Sequence, residues 1–290
     1  MINPTEIYGI WFSSLREILG KEIHSRYLNV LTKQTFDSIR RIEIFNTYKT
    51  KADIAVRTKS NYFITSNPFI LSQREDLSYE NRIWIIYLAV YFGKSKKSGW
   101  ALFNKATFYS NKSLIDFDYV KNNKQDYFDY LKAINFFDGK TFSNHRKFVK
   151  KSLEGDRGLI RSMDFLIDNI DSFIEVNKLT FDDCYKKGLR IPNFNRLGSF
   201  DFTSNLVKCG LDIEEPKKMY LRNSSGPLAG LKLILKLSGS DYNNESAMIF
   251  GEKIESWFLH NTNIFMVCQV LEDSICNWQK QPVNYSYFSG

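Results

Sequence analysis

Ten consecutive apolar residues, Ile83 to Phe92, constrain the fold of this chain more than any other feature. The run is far short of the roughly 20 residues that a membrane-spanning helix needs. It is apolar on every side, and a helix of that kind belongs inside a core. The expectation is a buried helix with other helices packed round it. The chain can supply them: 290 residues, 43% apolar and 25% charged, make a globular composition with room for one domain or two. With 24 Phe and 16 Tyr, the core is aromatic-rich or some rings are kept for stacking.

Residues 5–45 read as two helices. Ile7, Ile10, Trp11, Ser14, Leu15 and Ile18 keep helical spacing, Gly20 is the expected stop, and Ile23, Tyr27, Val30 and Leu31 resume the pattern. Residues 46–80 are polar and mixed, with Asn67-Pro68 marking a turn. Residues 1–80 are taken as a helical scaffold and 81–290 as the catalytic region, unless the two form one compact unit. Asp164–Phe173 is a further amphipathic helix.

After Phe92 comes Gly93-Lys94-Ser95-Lys96-Lys97-Ser98-Gly99-Trp100. A phosphate-binding P-loop needs another glycine five positions before Gly93, and Leu88 stands there, so that motif is rejected. A flexible basic loop ending in Trp100, with Lys94, Lys96 and Lys97 on it, suits the backbone of a nucleic acid better. The net charge of +8 is uneven: residues 94–151 hold 13 basic and 5 acidic residues, while the remainder holds 27 of each. Within that segment lie Trp100, Phe103, Phe108, Tyr109, Tyr119, Tyr127 and Phe128. Cations interleaved with rings suit phosphates and stacked bases; a solubilising surface over an aromatic core is the alternative.

Four cysteines (184, 209, 268, 276) without a Cys-x-x-Cys, and three scattered histidines (24, 145, 260), give no zinc spacing. Reduced thiols in a cytoplasm are expected, and no signal peptide is visible after Met1. Neither a metal site nor a cofactor is expected.

Near the C-terminus, Val267, Val270, Leu271, Ile275 and Trp278 fall on one side of a helix. Gln269, Glu272, Asp273, Cys276 and Lys280 fall on the other, and Pro282 lies just beyond. The polar side is either a wet face or a site. Its groups are short, neutral or acidic, unlike the Lys/Glu pairs of a solvated helix. Two adjacent carboxylates repel, which can raise one pKa toward a working value. Three further clusters stand out. Ser143-Asn144-His145-Arg146-Lys147-Phe148 offers a proton donor and a phosphate fork. Asp201 lies between Phe200 and Phe202, where a carboxylate would be desolvated, or it is a helix N-cap. Ser224-Ser225-Gly226-Pro227-Leu228-Ala229-Gly230 opens a helix whose first N–H groups, at Gly226 to Gly230, can meet a phosphate or simply be capped.

Taken in order, five motifs resemble the α-glutamyl/putrescinyl thymine pyrophosphorylase family, clade 3, over roughly residues 80–290. They are Phe92-Gly93-Lys94…Gly99-Trp100, Asn144-His145-Arg146-Lys147-Phe148, Ile191-Pro192…Arg196…Phe200-Asp201-Phe202, Tyr220-Leu221…Ser225-Gly226-Pro227-Leu228…Gly230 and Gln269-Val270-Leu271-Glu272-Asp273…Cys276-Asn277-Trp278-Gln279-Lys280. The chain departs from the family pattern at Tyr91 (His in the pattern), Asn193 and Asn195 (Arg and Gly) and Ala229 (Arg). Without the two arginines, the family's phosphate-binding scheme does not transfer in detail.

The resemblance implies a mainly α fold, a helical bundle like the helix-hairpin-helix DNA glycosylases with a cleft between lobes. It implies DNA with hypermodified bases as partner, and no membrane. Two activities follow: excision of a modified pyrimidine as anti-phage defence, or base hypermodification by displacing pyrophosphate from an activated hydroxymethyluracil, usually with Mg²⁺. A DNA-binding module without turnover is the third reading. For excision, the catalytic candidates are Asp273, Asp201, Glu272 and His145. Lys94, Lys96, Lys97, Trp100, Arg146, Lys147, Arg196, Gly226 and Gly230 are the DNA contacts, and Gln269, Asn277, Trp278 and Asn144 the base pocket. These residues are expected to converge in a cleft, with Asp201 and Asp273 together.

Overall fold

The computed structural model describes residues 2–58, 67–109, 113–137, 142, 152–174 and 179–287. Among them are thirteen α-helices and no β-strand, so the chain is mainly α. In order they are α1 (Pro4–Leu19), α2 (Ser25–Thr58), α3 (Pro68–Leu71), α4 (Tyr79–Phe92), α5 (Ala101–Thr107), α6 (Phe117–Asn122) and α7 (Lys124–Ala133). Then follow α8 (Leu159–Asn169), α9 (Phe181–Gly188), α10 (Arg196–Lys208), α11 (Gly226–Leu237), α12 (Asn244–Asn261) and α13 (Val267–Trp278). A 3-10 turn, Ile170–Phe173, extends α8. Contacts divide the chain into two compact units: Met1–Ile44 joined with Glu215–Gly290, and Phe45–Glu214.

Short-range chemistry sets many boundaries. Asn3 accepts the N–H groups of Thr5 and Glu6 while the Glu6 carboxylate returns to the Asn3 N–H, a reciprocal cap that starts α1. Gly20, at φ 63, ends it as its spacing predicts. Asn67-Pro68 begins α3: Asn67 accepts the Phe69 N–H at 3.0 Å and Pro68 occupies the first turn. Residues 46–58 differ from the expectation. They continue α2 because Phe45, Ala52 and Ala55 keep one helical face buried, while Lys49 and Asp53 pair at 3.0 Å on the wet side.

In the unit 45–214, every residue from Ile83 to Phe92 is at most 1% exposed, as the apolar run requires. Around α4 pack α3, α5, α6, α10 and the 3-10 turn. Several of the polar atoms that such burial brings inward are paired, though the Trp84 indole N–H has no partner among the described residues. The Tyr87 hydroxyl donates to Ser162 Oγ at 2.7 Å, and Ser162 Oγ donates to the Pro192 carbonyl at 2.8 Å. Asn81 Oδ1 accepts the Phe117 N–H at 2.7 Å.

In the unit 1–44 with 215–290, α11 packs on both α12 and α13, and α1 packs on α12. Trp11 joins α1 to the rest, its ring 4.8 Å from that of Phe258 and its N–H on Thr35 Oγ1 at 2.9 Å. The approach of α11 to α13 depends on two glycines one turn apart. A Cβ on Gly230 would lie 2.6 Å from the Ile275 carbonyl oxygen, and one on Gly226 would overlap Cys276 Sγ. No helix among the described residues is long and apolar enough to cross a membrane.

Candidate functional site

The polar side of α13 is turned into the protein. Gln269 and Glu272 are 7% and 5% exposed, whereas Asp273 sits at the edge with 35% of its side chain exposed. Asp273 meets α2, on which Gln34, Asp37, Ser38 and Arg41 recur at i, i+3, i+4 and i+7, the same spacing as Gln269, Glu272, Asp273 and Cys276. Two contacts set the sense of the pair: the Trp278 indole N–H donates to the Tyr27 carbonyl at 3.1 Å, and Ser38 Oγ donates to Asp273 Oδ2 at 3.3 Å. These contacts are further apart along α2 than along α13, so the two helices run in opposite senses and cross at an angle.

Asp273 is held on one side. Its Oδ2 takes both the Ser38 hydroxyl and, at 3.9 Å, Arg41 Nη2. Its Oδ1 has no protein partner among the described residues. One turn away on either helix stand Gln34 and Gln269, and the side-chain oxygen of each is buried without a partner among the described residues. Leaving such an oxygen unpaired costs about 1–3 kcal/mol. The residues 281–287 run over α2 at this place. Gln34 Nε2 donates to the Ser286 carbonyl at 2.8 Å, and the Tyr285 hydroxyl donates to Asp37 Oδ2 at 2.6 Å.

Sequence reasoning found the α13 half of this layer and missed the α2 half. The signal was weak: the four residues keep helical spacing, but α2 carries charged residues on its other faces too, among them Lys33 and Arg40. Two expectations on α13 and α11 are corrected. Trp278 is fully buried with its N–H engaged, so it supports α13 from behind and cannot line a base pocket. Gly230 is buried against Ile275, so it makes room for a helix contact and not for a phosphate. Gly226 also faces α13, through Cys276, at the first turn of α11, where Ser225 provides no side-chain cap. Asn277 lies one turn beyond Asp273, with its amide oxygen accepting from Lys280 Nζ at 2.8 Å.

The other candidates belong to the unit 45–214. The loop after α4 closes on itself: Ser95 and Gly99 exchange both backbone hydrogen bonds at 2.9 Å, and Ser95 Oγ accepts the N–H groups of Lys97 and Ser98. Lys94, Lys96 and Lys97 project from it, all exposed and without an ion pair among the described residues. Trp100 packs edge-on against Phe69, with centroids 5.8 Å apart.

Elsewhere in the cationic segment, the fold supplies carboxylates that the linear count assigns to later residues. Lys124 meets Asp164 at 2.6 Å and Asp168 at 3.0 Å, and hydrogen bonds to these two hold its ammonium above its ordinary pKa. Lys132 meets Glu154 at 3.0 Å and Lys121 meets Asp171 at 3.8 Å. A cleft of about 600 Å³ bordered by Lys124, Lys132, Arg161 and Asp164 is thus lined by paired charges.

Asp201 is inside α10 and not at its start; the N-cap is Asn195, which accepts the N–H groups of Leu197 and Gly198. Arg196 begins that helix with its guanidinium 5.1 Å from the Phe200 ring centre. Two departures from the family pattern are neighbours: Asn193 donates to the Tyr91 hydroxyl at 3.2 Å and to the Arg157 carbonyl at 2.8 Å. Burial raises the Tyr91 phenol pKa, so it stays neutral. Asn144, His145, Arg146 and Lys147 lie outside the described residues. Among the described residues, no group of three or more His, Cys, Asp and Glu side chains is placed to hold a metal.

A search of curated proteins and a search of solved structures each return no match. A family model does match, over residues 26–290, nearly the whole chain and including both helices of the polar layer. The chain belongs to the family described as alpha-glutamyl/putrescinyl thymine pyrophosphorylase clade 3.

Proposed function

We propose that this protein is a DNA glycosylase that removes a hypermodified pyrimidine from phage DNA, as a defence against the phage. The observation that carries the reading is Asp273: a partly exposed carboxylate with one oxygen hydrogen-bonded by Ser38 and 3.9 Å from the Arg41 guanidinium. The family description adds a link to modified thymine.

The chemistry follows from that geometry. The nucleotide leaves the stack, at a cost of a few kcal/mol. The bond from C1′ to the ring nitrogen breaks and its electron pair leaves with the base. Positive charge develops on the sugar, and an adjacent carboxylate stabilises it. Water attacks C1′ and gives its proton to Asp273, and the departing base is protonated in turn. The products are free base and an abasic site.

Gln269, Glu272 and Asn277 orient the base. Lys94, Lys96, Lys97 and Arg196 contact phosphates, together with Arg146 and Lys147, while His145 supplies a proton. Asp201 is the alternative carboxylate. Lys147 acting as a Schiff-base nucleophile would add strand cleavage.

A second reading is favoured by the family description itself: a transferase displacing pyrophosphate from an activated base. One experiment separates the two. Phage DNA carrying modified bases is incubated with the protein alone, and alkali-labile sites and released bases are measured. Excision predicts both, with Asp273→Asn slower by about 10²–10⁴-fold. No released base from any modified genome refutes it. Turnover only with free glutamate or putrescine and a pyrophosphorylated base establishes the transferase.

A further inference from the structure

Residues 281–287 lie over Lys33, Gln34 and Asp37 of α2, and all of them are at least partly exposed. Tyr285 is the ordered point. Its hydroxyl donates to Asp37 at 2.6 Å, and Asp37 is 5% exposed. Lys33 Nζ lies 5.4 Å from the ring centre. Tyr285 as a whole is 39% exposed. Burial, then the Asp37 carboxylate, push the phenol up to about 12, so it remains a donor.

Its position matters more than its exposure. Asp37 and Ser38 are consecutive on α2; the first holds Tyr285 and the second holds Asp273. Consecutive side chains on a helix diverge by about 100°, so the group common to both is Arg41, one turn beyond Asp37 on the same face of α2. The Arg41 guanidinium, 3.9 Å from Asp273, also acts electrostatically on Tyr285. A partly exposed tyrosine on Asp37, one turn of α2 from the Arg41 that pairs with Asp273, suits an extruded base, with the ring stacking on the base and the carboxylate facing its sugar.

We propose that Tyr285 is the stacking residue for the base bound at Asp273, with Asp37 as the group that sets its ring. This rests on the reading that Asp273 faces an extruded nucleotide.

The test uses the full chain and two synthetic duplexes, identical except that one carries 5-hydroxymethyluracil where the other carries an abasic site. Stacking of one base is worth about 1–3 kcal/mol, so the wild type should bind the base-bearing duplex about 5- to 150-fold more tightly. Tyr285→Ala should bind both equally, while Tyr285→Phe should keep most of the discrimination because it keeps the ring. The unfolding midpoint of each variant is measured alongside. Wild-type discrimination retained in Tyr285→Ala overturns the proposal, as does equal binding by the wild type. Discrimination lost equally in Tyr285→Phe also overturns it, since the hydroxyl and not the ring would then be responsible. Base release is scored on the same duplex: its absence in the wild type counts against excision, and leaves the binding comparison to decide Tyr285 by itself.

Discussion

Glu255 offers a measurable test of how the unit 1–44 with 215–290 is built. It sits on α12, 7% exposed, and accepts the Met219 N–H at 2.6 Å. Burial pushes its carboxyl from the ordinary 4.5 up to about 7; the Met219 N–H opposes the change and the charge of Glu252 adds to it. The sign follows from linkage. Between pH 4.5 and 7 the folded chain binds this proton and the unfolded chain does not, so stability falls as pH rises through that window. At 1.36 kcal/mol per pH unit, the displacement amounts to about 3 kcal/mol. Glu255→Gln keeps an oxygen for the Met219 N–H and cannot ionise. Urea unfolding of the two proteins at pH 4.5 and 8 isolates the term, because other titrating groups cancel in the comparison. The wild type should lose about 3 kcal/mol more than Glu255→Gln over that span. Parallel losses in the two proteins would show that Glu255 ionises normally and that this part of the core is open to water.

Two further outcomes are expected. Gly230→Ala places a Cβ 2.6 Å from the Ile275 carbonyl oxygen and should lower stability by about 1–3 kcal/mol by urea titration, despite alanine's higher helix propensity; an unchanged or raised midpoint would show that α11 and α13 can part freely. Replacing Lys94, Lys96 and Lys97 with alanine should reduce the slope of log binding constant against log salt by up to about 3 on duplex DNA; an unchanged slope would place the phosphate contacts elsewhere.

The legible parts of this protein are those in which the signal is local. The run from Ile83 to Phe92 must be buried wherever it lies, and it is. Gly20 ends α1 because it alone reaches φ 63 without a Cβ penalty. The stripe from Gln269 to Cys276 was visible as polar, but whether it met water or protein depended on α2, more than 200 residues earlier. Charge misled in a related way. The segment 94–151 is strongly basic when counted along the chain, yet Lys121, Lys124 and Lys132 find carboxylates at 154–171.

From the sequence alone came a helical chain with one buried apolar helix and a polar C-terminal helix carrying two carboxylates. Those follow from hydrophobic periodicity and from the backbone preferences of single residues, which act over a few positions. Only the tertiary structure decided that Ser38 and Arg41 would meet that helix at Asp273. It also decided that Gly226 and Gly230 serve its close packing, and that Trp278 supports it from within. The reason is that a contact between distant segments is selected by the fit and burial of whole faces, which no local pattern specifies.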